Sequence, residues 1–92
     1  MNEQLFLTII INATVSMITI ARGRRKERLS LLRNDCQLML DCLNEVKGPV
    51  DESLEVDLMK LKVILASSVV EEEIVIRLSN KIGLKAIECL DP

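Results

Sequence analysis

No histidine, tryptophan or tyrosine occurs in the 92 residues, and Phe6 is the lone aromatic. Without histidine the chain lacks the usual general base and the commonest transition-metal ligand. Without aromatic bulk, any core must be filled by Leu, Ile, Val and Met, which suits helix packed on helix. Glycine numbers three and proline two. Cysteine is limited to Cys36, Cys42 and Cys89, with no CxxC pair. Cys36 and Cys42 lie six apart on one expected helix and cannot bridge each other there. They read as reduced, small hydrophobic residues of a reducing compartment. No phosphate loop, nucleophile elbow or metal box is present, and no cofactor or small-molecule substrate is expected. The chain reads as non-enzymatic.

What the chain does have is an ordered sequence of charge. Met1 to Ala21 carries one charged side chain, Glu3. Arg22 to Arg28 (RGRRKER) then carries five positive charges and one negative, and Leu29 to Pro92 has seven basic and twelve acidic side chains. The order is apolar, basic, acidic.

Leu5 to Ala21 (LFLTIIINATVSMITIA) has no charge. As a helix it reaches about 25 Å, the lower edge of a membrane span. Its polar positions are grouped: Thr8, Asn12, Ser16 and Thr19 fall within an arc of about 80° at 100° per residue. Small and polar residues are what helices use to associate in lipid, so these four form an expected oligomer seam. The basic residues Arg22, Arg24, Arg25, Lys26 and Arg28 follow at once and form a juxtamembrane cluster. They predict an inner-membrane, single-pass chain with its amino terminus outside and its carboxyl terminus cytoplasmic. Two alternatives compete. The segment can be the central helix of a soluble cytoplasmic bundle, because five of its seventeen positions are polar. Its β-branched runs also permit a strand or an interface-lying helix. A nucleic-acid role for RGRRKER is weak, because no aromatic residues lie near it and the rest of the chain is acidic.

The remainder predicts helices. Leu29, Leu32, Cys36, Met39, Leu43 and Val46 recur at spacings of three and four, the pattern of a helical-core interface, on a helix from Arg24 to Lys47 continuous with the first. Leu31, Leu38, Leu40 and Cys42 widen that apolar surface. Lys47-Gly48-Pro49 is a stop. A third helix is expected over Ser53 to Ser67, with a stripe of Leu54, Leu58, Leu61 and Leu65 and with Val56, Met59 and Val63 beside it. Its carboxylates, Glu52, Glu55 and Asp57, come early and Lys60 and Lys62 later, as the helix dipole prefers. Ser68 to Glu71 matches a capping box for a fourth helix, in which Gly83 marks a bend or an end. The Glu71-Glu72-Glu73 run reads as helix-start charge rather than as a metal site.

The layout resembles small bacterial or phage single-pass membrane proteins with an amino-terminal anchor, a basic juxtamembrane stretch and a short cytoplasmic helical module. LFLTIIINATVSMITIA and RGRRKERLSLLRNDCQLMLDCL carry the resemblance, which is one of pattern over the whole chain. The expected fold is all-α: a long N-terminal transmembrane helix (1–23) continuing into a small antiparallel bundle of about three helices (24–92), in an oligomer. The expected function is a self-associating membrane protein, either a permeabilising effector or an anchor for a partner protein. Its partners are then itself, another protein and membrane lipid. The alternative is a soluble helical-bundle interaction module.

Overall fold

A computed structural model describes residues 3–23, 26–45 and 52–90. These residues form four helices and no strand: α1 (Glu3–Arg22), α2 (Arg28–Glu45), α3 (Glu52–Ala66) and α4 (Glu72–Leu90). Each helix packs on its neighbours in the chain, and α4 returns to close the ring on α1. The backbones of the diagonal pairs stay apart among the described residues. The result is a four-helix bundle, 37 Å long and 19 Å across. Contacts run in opposite senses along each adjacent pair: Ser16 meets Asp35, Arg33 meets Leu65, and Ser53 and Asp57 meet Lys85. Short connections leave antiparallel packing as the accessible solution.

The core is aliphatic, as the composition requires. Phe6, Ile10 and Met17 of α1 meet Leu32, Cys36 and Met39 of α2, Leu54, Leu58, Leu61 and Leu65 of α3, and Val75 and Ile82 of α4 in one cluster. The expected leucine stripe of α3 is therefore its inward face. On α2, Leu32, Cys36 and Met39 are buried and Leu29 and Leu43 are partly buried, while Val46 lies outside the described residues.

Four expectations are corrected. The first two helices do not form one rod, because α1 ends at Arg22 and α2 begins at Arg28. The reason is a cap: the Arg28 guanidinium donates to the carbonyls of Gly23 (3.2 Å) and Ala21 (3.5 Å), satisfying the open end of α1. The bundle has four helices rather than about three, because α1 packs laterally on α2 and α4. The capping box at Ser68 is not used. The chain bends over Ser67–Val69 and α4 starts at Glu72, which lets half-buried Val70 pack against the core first. Gly83 neither bends nor ends α4, which runs through it to Leu90. The stop expected at Lys47-Gly48-Pro49 lies outside the described residues.

Gly83 has a packing role. A Cβ placed there would lie 2.8 Å from the Thr14 hydroxyl oxygen of α1. Ser79, Gly83 and Ala86 of α4 are buried, as are Ala13 and Thr14 of α1. These small side chains let the two backbones come close, and Thr14 returns its hydroxyl proton to the Ile11 carbonyl at 2.7 Å. Gly83→Ala is expected to destabilise the fold by about 1 kcal/mol, because overpacking exceeds the gain in helix propensity. In a Thr14→Ala background the same change is expected to stabilise by up to about 1 kcal/mol, because the obstructing oxygen is gone. Urea midpoints of the two pairs check the reversal of sign.

Candidate interaction surface

The residues singled out in the sequence are distributed by helix geometry. Thr8, Asn12 and Thr19 are exposed on the outer side of α1. Thr8 and Thr19 donate to the carbonyls of Gln4 (2.9 Å) and Val15 (3.0 Å), four residues back. Ser16 is half-buried and donates to an Asp35 carboxylate oxygen at 2.8 Å, tying α1 to α2. Asp35 thus has a partner on a neighbouring helix. Of the basic cluster, Arg22 and Lys26 are exposed, Arg24 and Arg25 lie outside the described residues, and half-buried Arg28 caps α1. Arg28 also lies 3.9 Å from Glu72 and so links the end of α1 to the start of α4. Arg33 caps α3 in the same manner, donating from Nε to the Leu65 carbonyl at 2.7 Å.

One ionic group sits deep in the bundle. Asp57 is 2% exposed and shares the inward arc of α3 with Leu54, Leu58 and Leu61. Lys85 of α4 bonds one carboxylate oxygen, and Lys81 stands 3.5 Å from the other. Burial alone would raise the Asp57 pKa. The hydrogen bond and charge of Lys85, together with Lys81, outweigh burial and hold it below its ordinary value. Dipole complementarity is therefore not the role of Asp57; it locks α3 to α4. The sequence signal was present but overlooked: Asp57 lies three and four residues from Leu54 and Leu61, and Lys81 and Lys85 are four apart on one helix face.

The cysteines divide by burial. Cys36 and Cys42 are buried and Cys89 is exposed. Burial pushes the Cys36 thiol up to about 11, with Lys62 opposing it weakly. Burial, with Glu45 and Asp41, also raises Cys42. Neither is a thiolate nucleophile near neutral pH. Among the described residues no group of three or more acidic, cysteine or histidine side chains is placed to hold a metal.

The most conspicuous surface is apolar. Val56, Met59 and Val63 of α3 are 50%, 47% and 69% exposed. Together with Ile64 they meet Ile74 and Leu78 of α4 in an open groove. Glu55, Lys60, Arg77 and Lys81 rim it. This makes α3 apolar on two opposite faces, one turned to the core and one to the exterior. The sequence placed Val56, Met59 and Val63 beside the leucine stripe without resolving that they point away from it. Compared with protein-family models, curated proteins and solved structures, the chain gives no match.

Two outcomes test this geometry. Asp57→Asn is expected to cost about 1–3 kcal/mol near neutral pH, because Lys85 keeps its charge without a buried counter-ion. The folded-state pKa of Asp57 is depressed, so its contribution is complete above the unfolded value near 3.8 and is lost as pH falls through the folded value. The gap in urea midpoint between wild type and variant should hold between about pH 5 and pH 8 and close in stronger acid. Native protein should expose the Cys89 thiol to a disulfide reagent, with Cys36 and Cys42 reacting only after unfolding. Rapid reaction of all three in the native state would contradict the packing.

Proposed function

We propose that this chain is a non-enzymatic protein-interaction module: an aqueous four-helix bundle that acts by helix-to-helix contact with another chain, with α1 as a core helix. One observation carries the reading. The apolar arc of α1 is used inside the bundle, where Phe6, Ile10, Ala13, Met17 and Ala21 are almost fully buried. Thr8, Asn12 and Thr19 face outward. In a lipid-facing helix that arrangement is costly, because Asn12 would lie toward hydrocarbon unless another helix covered it. In water it is the ordinary solution for an amphipathic helix. The exposed apolar face of α3, rimmed by charge, supports binding rather than catalysis as the task.

A second reading is favoured by a different observation. Gln4–Arg22 is long and apolar enough to cross a membrane by length and composition, a test that the core helix of a soluble bundle also passes. In this reading α1 leaves the bundle and spans the inner membrane with the amino terminus outside. Thr8, Asn12, Ser16 and Thr19 then join protomers, which anchor a partner or permeabilise the bilayer. That arrangement uncovers Val75, Ile82 and Ala86 of α4, all fully buried against the rest of the bundle.

Fractionation with an alkaline carbonate wash separates the two. The bundle reading expects the protein in the soluble fraction without detergent, and expects Asn12→Leu to leave stability and oligomeric state nearly unchanged. Retention in the washed pellet, with Asn12→Leu dispersing an oligomer, would overturn it in favour of the membrane reading.

A further inference from the structure

The outer face of α3 has the periodicity of a helix interface. Val56, Met59, Val63 and Ala66 are spaced by three, four and three residues, all exposed, and Glu52 extends the row by one more step of four. The opposite face is spent on the bundle core through Leu54, Leu58, Leu61 and Leu65. A helix apolar on both sides ordinarily has neighbours on both sides. Within the described chain, α2 and α4 flank α3 and the outer row has no cover.

Charge on the same helix indicates what would cover it. Glu52 and Glu55 lie in its first half and Lys60 and Lys62 in its second. None of Glu55, Lys60 and Lys62 takes part in an ion pair among the described residues, whereas Lys81 is engaged by Asp57 and Arg77 by Glu73. Glu55 and Lys62 are seven residues apart, two turns along one flank of the apolar row.

We propose that this face binds a second copy of the same chain, with α3 packed antiparallel on α3 across a twofold axis near the middle of the helix. The proposal rests on the interaction reading above and names its partner. Turning one copy end over end lays Val56 against Met59 of the partner subunit. It also brings Glu55 over Lys62 of the partner subunit, and the axis makes each of these contacts twice. The opposite-charge pairs flank the apolar row as they do in paired coiled-coil helices. A parallel pairing would set Glu55 against Lys60 of the partner subunit and leave Lys62 without a counter-charge, so only the antiparallel arrangement uses both charges of that flank. Sliding the antiparallel pair by one heptad brings Lys60 near Lys60 and Lys62 near Lys62, so charge also selects the register. One helix face with Ile74 and Leu78 beside it is smaller than an obligate interface, so a concentration-dependent, micromolar dimer is expected.

Sedimentation equilibrium of the full chain tests this. Wild type is expected to pass from monomer to dimer in the micromolar range. Met59→Glu alters an exposed side chain, so its helical signal and urea midpoint should stay close to wild type while its dissociation constant rises at least tenfold. Glu55→Lys alone should weaken the dimer, and Glu55→Lys with Lys62→Glu should restore it. A wild-type monomer at all concentrations, a dimer indifferent to Met59→Glu, or a charge swap that does not restore association overturns the proposal. A protein that needs detergent overturns the aqueous reading instead, and sedimentation of the same variants in detergent then judges the α3 contact separately. A soluble monomer removes the second copy as partner and leaves the interaction reading standing.

Discussion

The close approach of α1 to α4 is the constraint on which the rest of the structure depends. It occurs where Gly83 meets Thr14 and where Ser79 and Ala86 keep the α4 surface low. Close backbones bring Met17, Ile10 and Phe6 into the same cluster as Val75 and Ile82. Once α1 is held there, α2 lies on its other side. The ring then closes through α3. Dispersion and burial favour this only at short range, so a small bulge at one residue propagates through all four helices. A chain with one aromatic side chain has no large residue able to fill a gap between widely separated helices. Tight spacing is how such a composition reaches native packing density.

Several polar side chains fix the geometry of the bundle. Arg28 and Arg33 close the ends of α1 and α3, meeting carbonyls that have no partner within their own helices. Ser16 and Asp35 set α1 against α2, and Asp57 with Lys81 and Lys85 sets α3 against α4. No buried side-chain nitrogen or oxygen among the described residues is left without a partner. A fully satisfied set of this kind specifies one register for each helix pair, which an aliphatic core alone does not do well.

The helical class and the inward faces of α2 and α3 were legible in the sequence because period alone reveals them. Leu54 to Leu65 repeat at three and four, and so do Leu29 to Leu43. The direction of α1 was harder to read. Its composition satisfies a membrane span and a core helix equally, and the polar arc of Thr8, Asn12, Ser16 and Thr19 is compatible with either solvent. What separates them is whether α4 carries a complementary face. That face is built from Ser79, Gly83 and Ala86, residues with too little hydrophobicity to stand out in a periodicity count. Gly83 reads locally as a helix breaker, and only the neighbouring Thr14 explains why a glycine is there. The same limitation hid the start of α4. Ser68 and Glu71 have the spacing of a cap, but the chain first has to reach the core with Val70. Local signals specify where a helix can begin, and packing specifies where it does.

The two faces of α3 illustrate the remaining ambiguity and its physical content. Heptad spacing identifies an apolar row but not which row faces inward, and α3 carries two. Core assignment falls to Leu54, Leu58, Leu61 and Leu65 because four leucines fill more volume than Val56, Met59 and Val63, and because Asp57 on the inward arc reaches Lys81 and Lys85. Turning α3 half a revolution would expose the leucines and strand Asp57 away from both lysines. The ion pair therefore decides which apolar row remains available outside. A bundle that needed only stability would carry polar residues on the outer row. Three of its positions are apolar, with opposite charges two turns apart along one edge, and the proposed self-association rests on that row.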